Sequence, residues 1–229
     1  MKDVIIACDF STKQETLDFL SKFQDEKPFV KIGMELFYAS GPSIVHEIKN
    51  RGHKIFLDLK LHDIPNTVYK AMKNVAALGV DMTNVHASGT IEMMMAAQKA
   101  IDEVNPSTKL IAVTQLTSTN EQTMQKELLI NHTILDTVKH YALNAKAAGL
   151  SGVVCSPLEA ASIKQVCGKE FLTVTPGIRF ADNESDDQKR ITTPSKAKEI
   201  GSDYIVVGRP ITASDDPVSA YRRCVKEFM

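Results

Sequence analysis

Asp58, Lys60 and Asp63 stand close together in the order Asp-x-Lys-x-x-Asp. Opposite charges about 4 Å apart attract by about 4 kcal/mol at an effective dielectric near roughly 20, so a lysine held between carboxylates stays protonated. A fixed ammonium among anions is a poised proton donor. In Ile55-Phe56-Leu57-Asp58-Leu59-Lys60 the residue types alternate, and side chains of a strand alternate between its two faces. With Ile55, Leu57 and Leu59 packed under helices, Phe56, Asp58 and Lys60 point the other way. By the same alternation Ile5, Ala7 and Asp9 share that inner face on a first strand, and Phe29 and Lys31 share it on a second. Four ionic groups, Asp9, Lys31, Asp58 and Lys60, then converge where these strands end. An unpaired charge withdrawn from water costs several kcal/mol, so the four must pair, stay hydrated or serve chemistry. A salt-bridge plug is the structural alternative. Three adjacent strands each ending in an inward charge, followed by a further carboxylate at Asp63, favour chemistry.

The elements that carry these residues repeat. Short apolar runs alternate with amphipathic stretches from one end of the chain to the other, the pattern of successive βα units. Strands are expected at 4–8, 29–32, 54–59, 81–85, 109–113, 152–155, 172–174 and 204–207. Helices are expected at 12–23, 43–50, 65–78, 90–104, 133–148, 158–167, 195–200 and 217–228. Pro65 suits a first helical position, where its missing N–H would be unpaired anyway, and Gly79 and Gly149 suit left-handed helix stops. Eight units predict an α/β protein, a single (β/α)8 TIM-barrel domain over residues 1–229. An open doubly wound sheet is disfavoured because Cys8-Asp9-Phe10-Ser11, not G-x-G-x-x-G, follows the first strand. In such a barrel the loops at the C-terminal strand ends build the site. Two long polar stretches, 116–132 and 180–194, follow strand ends and are expected to act as lids.

Barrels of this kind often take phosphate on the loops after the seventh and eighth strands. Those loops read Thr175-Pro176-Gly177-Ile178-Arg179 and Val207-Gly208-Arg209-Pro210-Ile211. Their glycines allow close backbone approach, and their guanidinium forks suit phosphate oxygens. Bulk charge leaves anion capture to such local groups: the net charge of -1 offers no excess for a nucleic-acid backbone or an anionic membrane. Cys8, Cys155, Cys167 and Cys224 form no C-x-x-C pair, which argues against structural zinc or a disulfide framework and for a reducing, cytoplasmic setting. The apolar run after Met1-Lys2-Asp3 is too short for a signal-peptide core, and no stretch approaches a membrane span. The histidines show no H-x-x-x-H spacing, so no metal site is expected. His62 reads as a solvent-facing spacer, and His86, on the same inferred face as Asn84, as a candidate cavity residue.

The block Asp58-Leu59-Lys60-Leu61-His62-Asp63-Ile64-Pro65-Asn66-Thr67 resembles the signature of the orotidine 5'-phosphate decarboxylases. Asp9, Lys31-Ile32-Gly33 with Glu35-Leu36-Phe37, Leu116-Thr117-Ser118, Pro176-Gly177-Ile178-Arg179 and Gly208-Arg209-Pro210 look like the remaining blocks of that family in their order. The resemblance implies decarboxylation of orotidine 5'-phosphate to uridine 5'-phosphate (UMP) and carbon dioxide, the last step of de novo UMP synthesis. It also implies that no metal or organic cofactor takes part, so the protein's own electrostatics must stabilise a carbanion at the pyrimidine C6. By the match, Lys60 stabilises and protonates that carbanion, Asp58 crowds the substrate carboxylate, Lys31 binds the ribose and orders the charged network, and Asp9 holds ribose hydroxyls. Thr117 or Ser118 contacts the pyrimidine, and Pro176 belongs to the same substrate-binding set. Arg179, Gln188 and Arg209 with the Gly208 amide take the phosphate, Gln188 from a loop that closes over the substrate. Sites of the family are shared across a homodimer, which sends Asp63 and Thr67 into the partner's site. The chain has no room for a fused phosphoribosyltransferase domain, so it is expected to act alone. A metal-dependent sugar-phosphate decarboxylase or aldolase of the same superfamily also carries Asp-x-Lys-x-x-Asp. Its second strand bears a carboxylate that helps hold magnesium, where Lys31 would repel the ion. A non-catalytic nucleotide-binding barrel would need loss of a key group, and every expected group is present.

Overall fold

Strands whose two faces are both apolar need cover on both sides, and this chain supplies it by closing the sheet on itself. The computed structural model describes residues 2–182 and 192–229. Among the described residues eight strands follow in chain order: β1 (Asp3–Ala7), β2 (Phe29–Gly33), β3 (Ile55–Leu61), β4 (Met82–His86), β5 (Lys109–Val113), β6 (Gly152–Val154), β7 (Leu172–Thr175) and β8 (Tyr204–Val207). Neighbours pair in parallel and β8 returns to β1, giving a closed barrel in the order of the sequence. The helices are α1 (Lys13–Ser21), α2 (Met34–Ser40), α3 (Pro42–Asn50), α4 (Pro65–Ala77), α5 (Thr90–Val104), α6 (Glu121–Glu127), α7 (Ile134–Ala147), α8 (Pro157–Cys167), α9 (Pro194–Ile200), α10 (Arg209–Thr212) and α11 (Pro217–Phe228). The fold is the (β/α)8 barrel that the periodicity predicts. Among the described residues no helix is long and apolar enough to cross a membrane.

Alternation along the strands builds two cores. Ile5, Phe29, Phe56, Met82, Ile111 and Tyr204 fill the barrel interior, with the Phe29 and Tyr204 rings edge to face at 6.2 Å. Ile6, Val30, Ile32, Ile55, Leu57 and Ile205 face outward against the helices. Each large apolar side chain buried this way contributes about 1.5–3 kcal/mol, so a one-residue slip of any strand would exchange the two cores and is strongly disfavoured. The inner core occupies the N-terminal part of the barrel. That end is also pinned by aspartates: Asp81, just before β4, accepts the Ile55 N–H at 2.8 Å and the Lys49 ammonium at 2.9 Å. Asp203, just before β8, does the same for the Thr173 N–H at 2.8 Å and for Lys164. What remains unfilled is the C-terminal mouth, where the charged residues stand.

Some boundaries differ from expectation for identifiable reasons. The polar stretch 116–132 contains α6, which Asn120 caps by accepting the Thr123 N–H and which buries only Met124, too little for a periodic signal. Helices α2 and α10 lack side-chain caps and span two turns or fewer, so pattern alone does not register them. Gly79 and Gly149 do stop α4 and α7 at positive φ, 72° and 84°. The third strand runs on to Leu61, past its expected end at 59, and the cause lies in the site.

Candidate active site

Strands β3 and β4 pair regularly up to Leu57 with Thr83 and resume only at Leu61 with Val85. Between those pairs β3 spends Asp58, Leu59 and Lys60 against Asn84 alone, so it bulges at its C-terminal end. Lys60 adopts φ 51°, a left-handed backbone that costs a non-glycine residue about 1–2 kcal/mol. Such strain persists only where the surroundings impose it. Here Asn84 Oδ1 accepts the Lys60 N–H at 2.8 Å in place of a ladder carbonyl.

Four side chains, two from β3, one from β2 and one from just after β1, form a row of alternating charge. Lys31 Nζ lies 2.9 Å from Asp9 Oδ1 and 3.5 Å from Asp58 Oδ2, and Lys60 Nζ donates to Asp58 Oδ1 at 2.7 Å. The row sums to neutrality, which lets Asp58 and Lys31 be only 12% exposed in their side chains. Burial pushes the Asp58 carboxyl up, but the Lys31 and Lys60 ammoniums and the hydrogen bonds from Lys60 and Asn84 outweigh it and hold it below its ordinary 3.8. Lys31 is the mirror case: burial pushes its ammonium down, and Asp58 and Asp9 outweigh burial and hold it above its ordinary 10.5. A depressed carboxylate stabilises the fold above pH 3.8 and loses that contribution as pH falls through the folded value. A raised ammonium contributes below pH 10.5 and loses its share as pH rises through its own folded value. Asp58→Asn should therefore melt below wild type at neutral pH by a margin that shrinks once the pH passes under 3.8. A margin that stays constant from neutral to acid pH in thermal melts would contradict this.

The row opens onto a cavity of about 180 Å³ at the barrel mouth, lined by Lys31, Asp58, Lys60, Thr117 and Pro176 over a floor of Phe56, Val113, Val154 and Val206. Thr117 lines it and Ser118, which is exposed, does not. Asp9 is exposed outside it and tied in through Lys31. The loop after β7 gives Pro176 to this cavity and Arg179 to a second, of about 670 Å³, which Arg209 also lines. Gly177, at φ 82°, makes that turn, and its carbonyl accepts the Thr192 N–H at 3.2 Å while Arg179 N–H donates to the Thr192 carbonyl at 3.0 Å. Gly208 directly precedes Arg209, which opens α10. Gln188 lies outside the described residues.

Two expectations are corrected. Asp63 does not flank its own Lys60: it is exposed, accepts the following Ile64 N–H at 2.7 Å in the turn into α4, and makes no ion pair among the described residues. Among the described residues Lys60 is thus held by one carboxylate of its own chain. Thr67 is likewise exposed, on the first turn of α4. His86 does not line the cavity; it stacks on His62 with ring centroids 5.6 Å apart and shares a 2.7 Å hydrogen bond with Ser88 Oγ. Sequence reasoning also passed over Gln115. It is buried, lines the cavity, and its carboxamide has no hydrogen-bond partner among the described residues. Alternation carried on from Ile111 and Val113 would have found it. Among the described residues no three His, Cys, Asp or Glu side chains gather as a metal site needs.

The chain is similar to known proteins over nearly its whole length. The model of the Orotidine 5'-phosphate decarboxylase / HUMPS family matches residues 2–224. The chain is 57% identical to the protein named orotidine 5'-phosphate decarboxylase of Listeria monocytogenes, over 100% of this chain and 99% of that one. It is 54% identical to the protein of that name from Bacillus mycoides, over 99% and 97%. The solved orotidine 5'-phosphate decarboxylase of Lactobacillus acidophilus superposes with a TM-score of 0.90 at 42% identity, covering 100% of this chain and 99% of that chain. An uncharacterized conserved protein from Geobacillus kaustophilus superposes with a TM-score of 0.89 at 48% identity, over 99% and 100%.

Proposed function

The chain belongs to the orotidine 5'-phosphate decarboxylase / HUMPS family and acts as a decarboxylase of orotidine 5'-phosphate in pyrimidine biosynthesis, and we propose that Lys60 is the group on which its chemistry turns. The observation that carries this is the neutral row of Asp9, Lys31, Asp58 and Lys60 opening onto one small cavity. As the C6 carboxylate leaves as carbon dioxide, its bonding electron pair stays on C6. The Lys60 ammonium stabilises that charge and then transfers a proton to C6, and the resulting amine regains a proton from solvent. A donor fixed before the reaction needs no reorganisation as charge develops, which is where such electrostatic help is largest. Asp58 anchors the ammonium, Lys31 and Asp9 take the ribose, Thr117 and Pro176 face the pyrimidine, and Arg179, Arg209 and the Gly208 amide hold the phosphate. Binding at the phosphate, remote from C6, then contributes to the chemical step.

No metal enters this scheme. The metal-dependent sibling would need a carboxylate on β2 where Lys31 stands, and an ammonium there repels a divalent cation. Purified protein should therefore convert orotidine 5'-phosphate to UMP, followed by the ultraviolet change, at the same rate with and without chelator. Loss of the activity to chelator would favour the sibling chemistry.

A homodimer belongs to the same proposal, with Asp63 and Thr67 of each subunit completing the partner's site. It is supported by Asp63 being exposed and apart from its own Lys60. Mixing and exchanging Lys60→Ala with Asp63→Ala subunits, each inactive alone, should restore about a quarter of wild-type activity, since half the symmetric dimers become mixed and each mixed dimer has one intact site. No recovery after verified exchange would argue that each subunit builds its site alone. A reducing compartment, the cytoplasm, suits the four buried free thiols.

A further inference from the structure

We propose that Asn84 is a positioning residue for the reaction, its carboxamide fixing both the backbone turn that aims the Lys60 ammonium and the Asp58 oxygen on which that ammonium rests. Asn84 occupies an inward position of β4, between Met82 of the inner core and His86, and is fully buried. Its Oδ1 accepts the Lys60 N–H at 2.8 Å, and its Nδ2 donates to Asp58 Oδ1 at 2.7 Å. That same oxygen receives Lys60 Nζ at 2.7 Å. One side chain on the neighbouring strand therefore closes a loop through the Lys60 main chain, the Lys60 ammonium and the Asp58 carboxylate.

Only one orientation of the amide works. Reversed, its N–H groups would meet the Lys60 N–H and its oxygen would meet a carboxylate. The bulge explains why the amide is needed: three residues of β3 oppose Asn84 alone, so no β4 carbonyl serves Lys60, and the left-handed φ of 51° is held by a side chain instead. Aspartate could accept from the Lys60 N–H but, ionised, could not donate to Asp58. Leucine keeps the volume and makes neither bond. Asn84 is not among the residues lining the cavity, so it acts through Asp58 and Lys60 and not on substrate.

The inference rests on the assignment of Lys60 above, and the test separates the two. Full-length Asn84→Leu, Asn84→Asp and Lys60→Ala are compared for kcat, UMP affinity by calorimetry, thermal melting and the pH profile of kcat/KM. Misplacement of a reacting group by about 1 Å lowers rate by about 10²-fold, so both Asn84 variants should lose kcat on that scale while UMP binding stays within about threefold. Among the described residues the charged groups facing Asp58 are Lys31 from β2 and Lys60 from β3, with Asp9 reached only through Lys31, while His86 on β4 lies against His62 and within the influence of the Lys60 charge. Exchanging the amide donor for a second carboxylate should move the acid limb of Asn84→Asp toward neutrality, further than that of Asn84→Leu. Should Asn84→Leu fail to fold, Asn84→Asp, of the same shape and keeping the acceptor, decides by its acid limb. Folded variants with near wild-type kcat and an unmoved acid limb overturn the role of Asn84 while inactive Lys60→Ala leaves Lys60 in place. Equal losses in kcat and UMP affinity overturn it as mere structural damage. An active Lys60→Ala overturns both.

Discussion

Replacing Lys60 with alanine should lower turnover by about 10⁴- to 10⁷-fold, the product of a lost proton donor at about 10²–10⁴ and a lost preorganised charge at about 10²–10³. UMP affinity should stay near wild type and the melting temperature should fall modestly, because Asp58 loses one ammonium but keeps Lys31 and Asn84. Lys60 reaches the cavity from the end of β3, its side chain is 28% exposed, and the inner core below it does not depend on it. Removing it also relieves the strained φ of 51° no further than alanine itself allows, so little stability is gained or lost at the main chain. Near-normal turnover in Lys60→Ala, measured by the ultraviolet assay, would remove the proton donor from the mechanism.

The second large effect is expected at Asp58. Asp58→Asn takes away the anchor of Lys60 at 2.7 Å and the more distant of the two carboxylates beside Lys31, at 3.5 Å, leaving Lys31 on Asp9 and Lys60 with no carboxylate among the described residues. We expect kcat/KM to fall by about 10²- to 10³-fold, mainly from misplacement of Lys60. In the proposed binding mode Asp58 would also face the substrate carboxylate, and if its whole contribution were ground-state repulsion, the variant would bind substrate tighter and turn it over more slowly in equal measure. That would leave kcat/KM unchanged. Steady-state kinetics on the variant therefore separate the two accounts, and an unchanged kcat/KM with both constants lowered would assign Asp58 to repulsion.

Much of this was legible from residue order because strand alternation is a local property. Ile5, Phe29 and Phe56 share the inner core, and Asp58 and Lys60 stand above it, as their positions in β1, β2 and β3 require. What alternation does not carry is the contact between strands. The bulge at Asp58 to Lys60 depends on how β3 meets β4, and the two hydrogen bonds of Asn84 join residues 24 and 26 positions apart. Proximity in sequence was equally misleading at Asp63, three residues from Lys60, because the chain turns there into α4 and spends that carboxylate on the Ile64 N–H. Thr117 and Ser118 are adjacent and chemically alike, so only the turn after β5 decides that Thr117 meets the cavity. Arg179 and Arg209 were found from the loops on which barrels often take phosphate, and both line one cavity.

The group that delivers a proton to C6 must, in reverse, remove it. Wild-type protein saturated with UMP in deuterium oxide should therefore exchange the C6 hydrogen of the nucleotide for deuterium, seen by proton magnetic resonance, although no carboxylate is present for Asp58 to repel. Lys60→Ala at the same UMP occupancy should show no exchange above the protein-free rate. Exchange in that variant at the wild-type rate would contradict the assignment of Lys60 as the group that meets the carbanion.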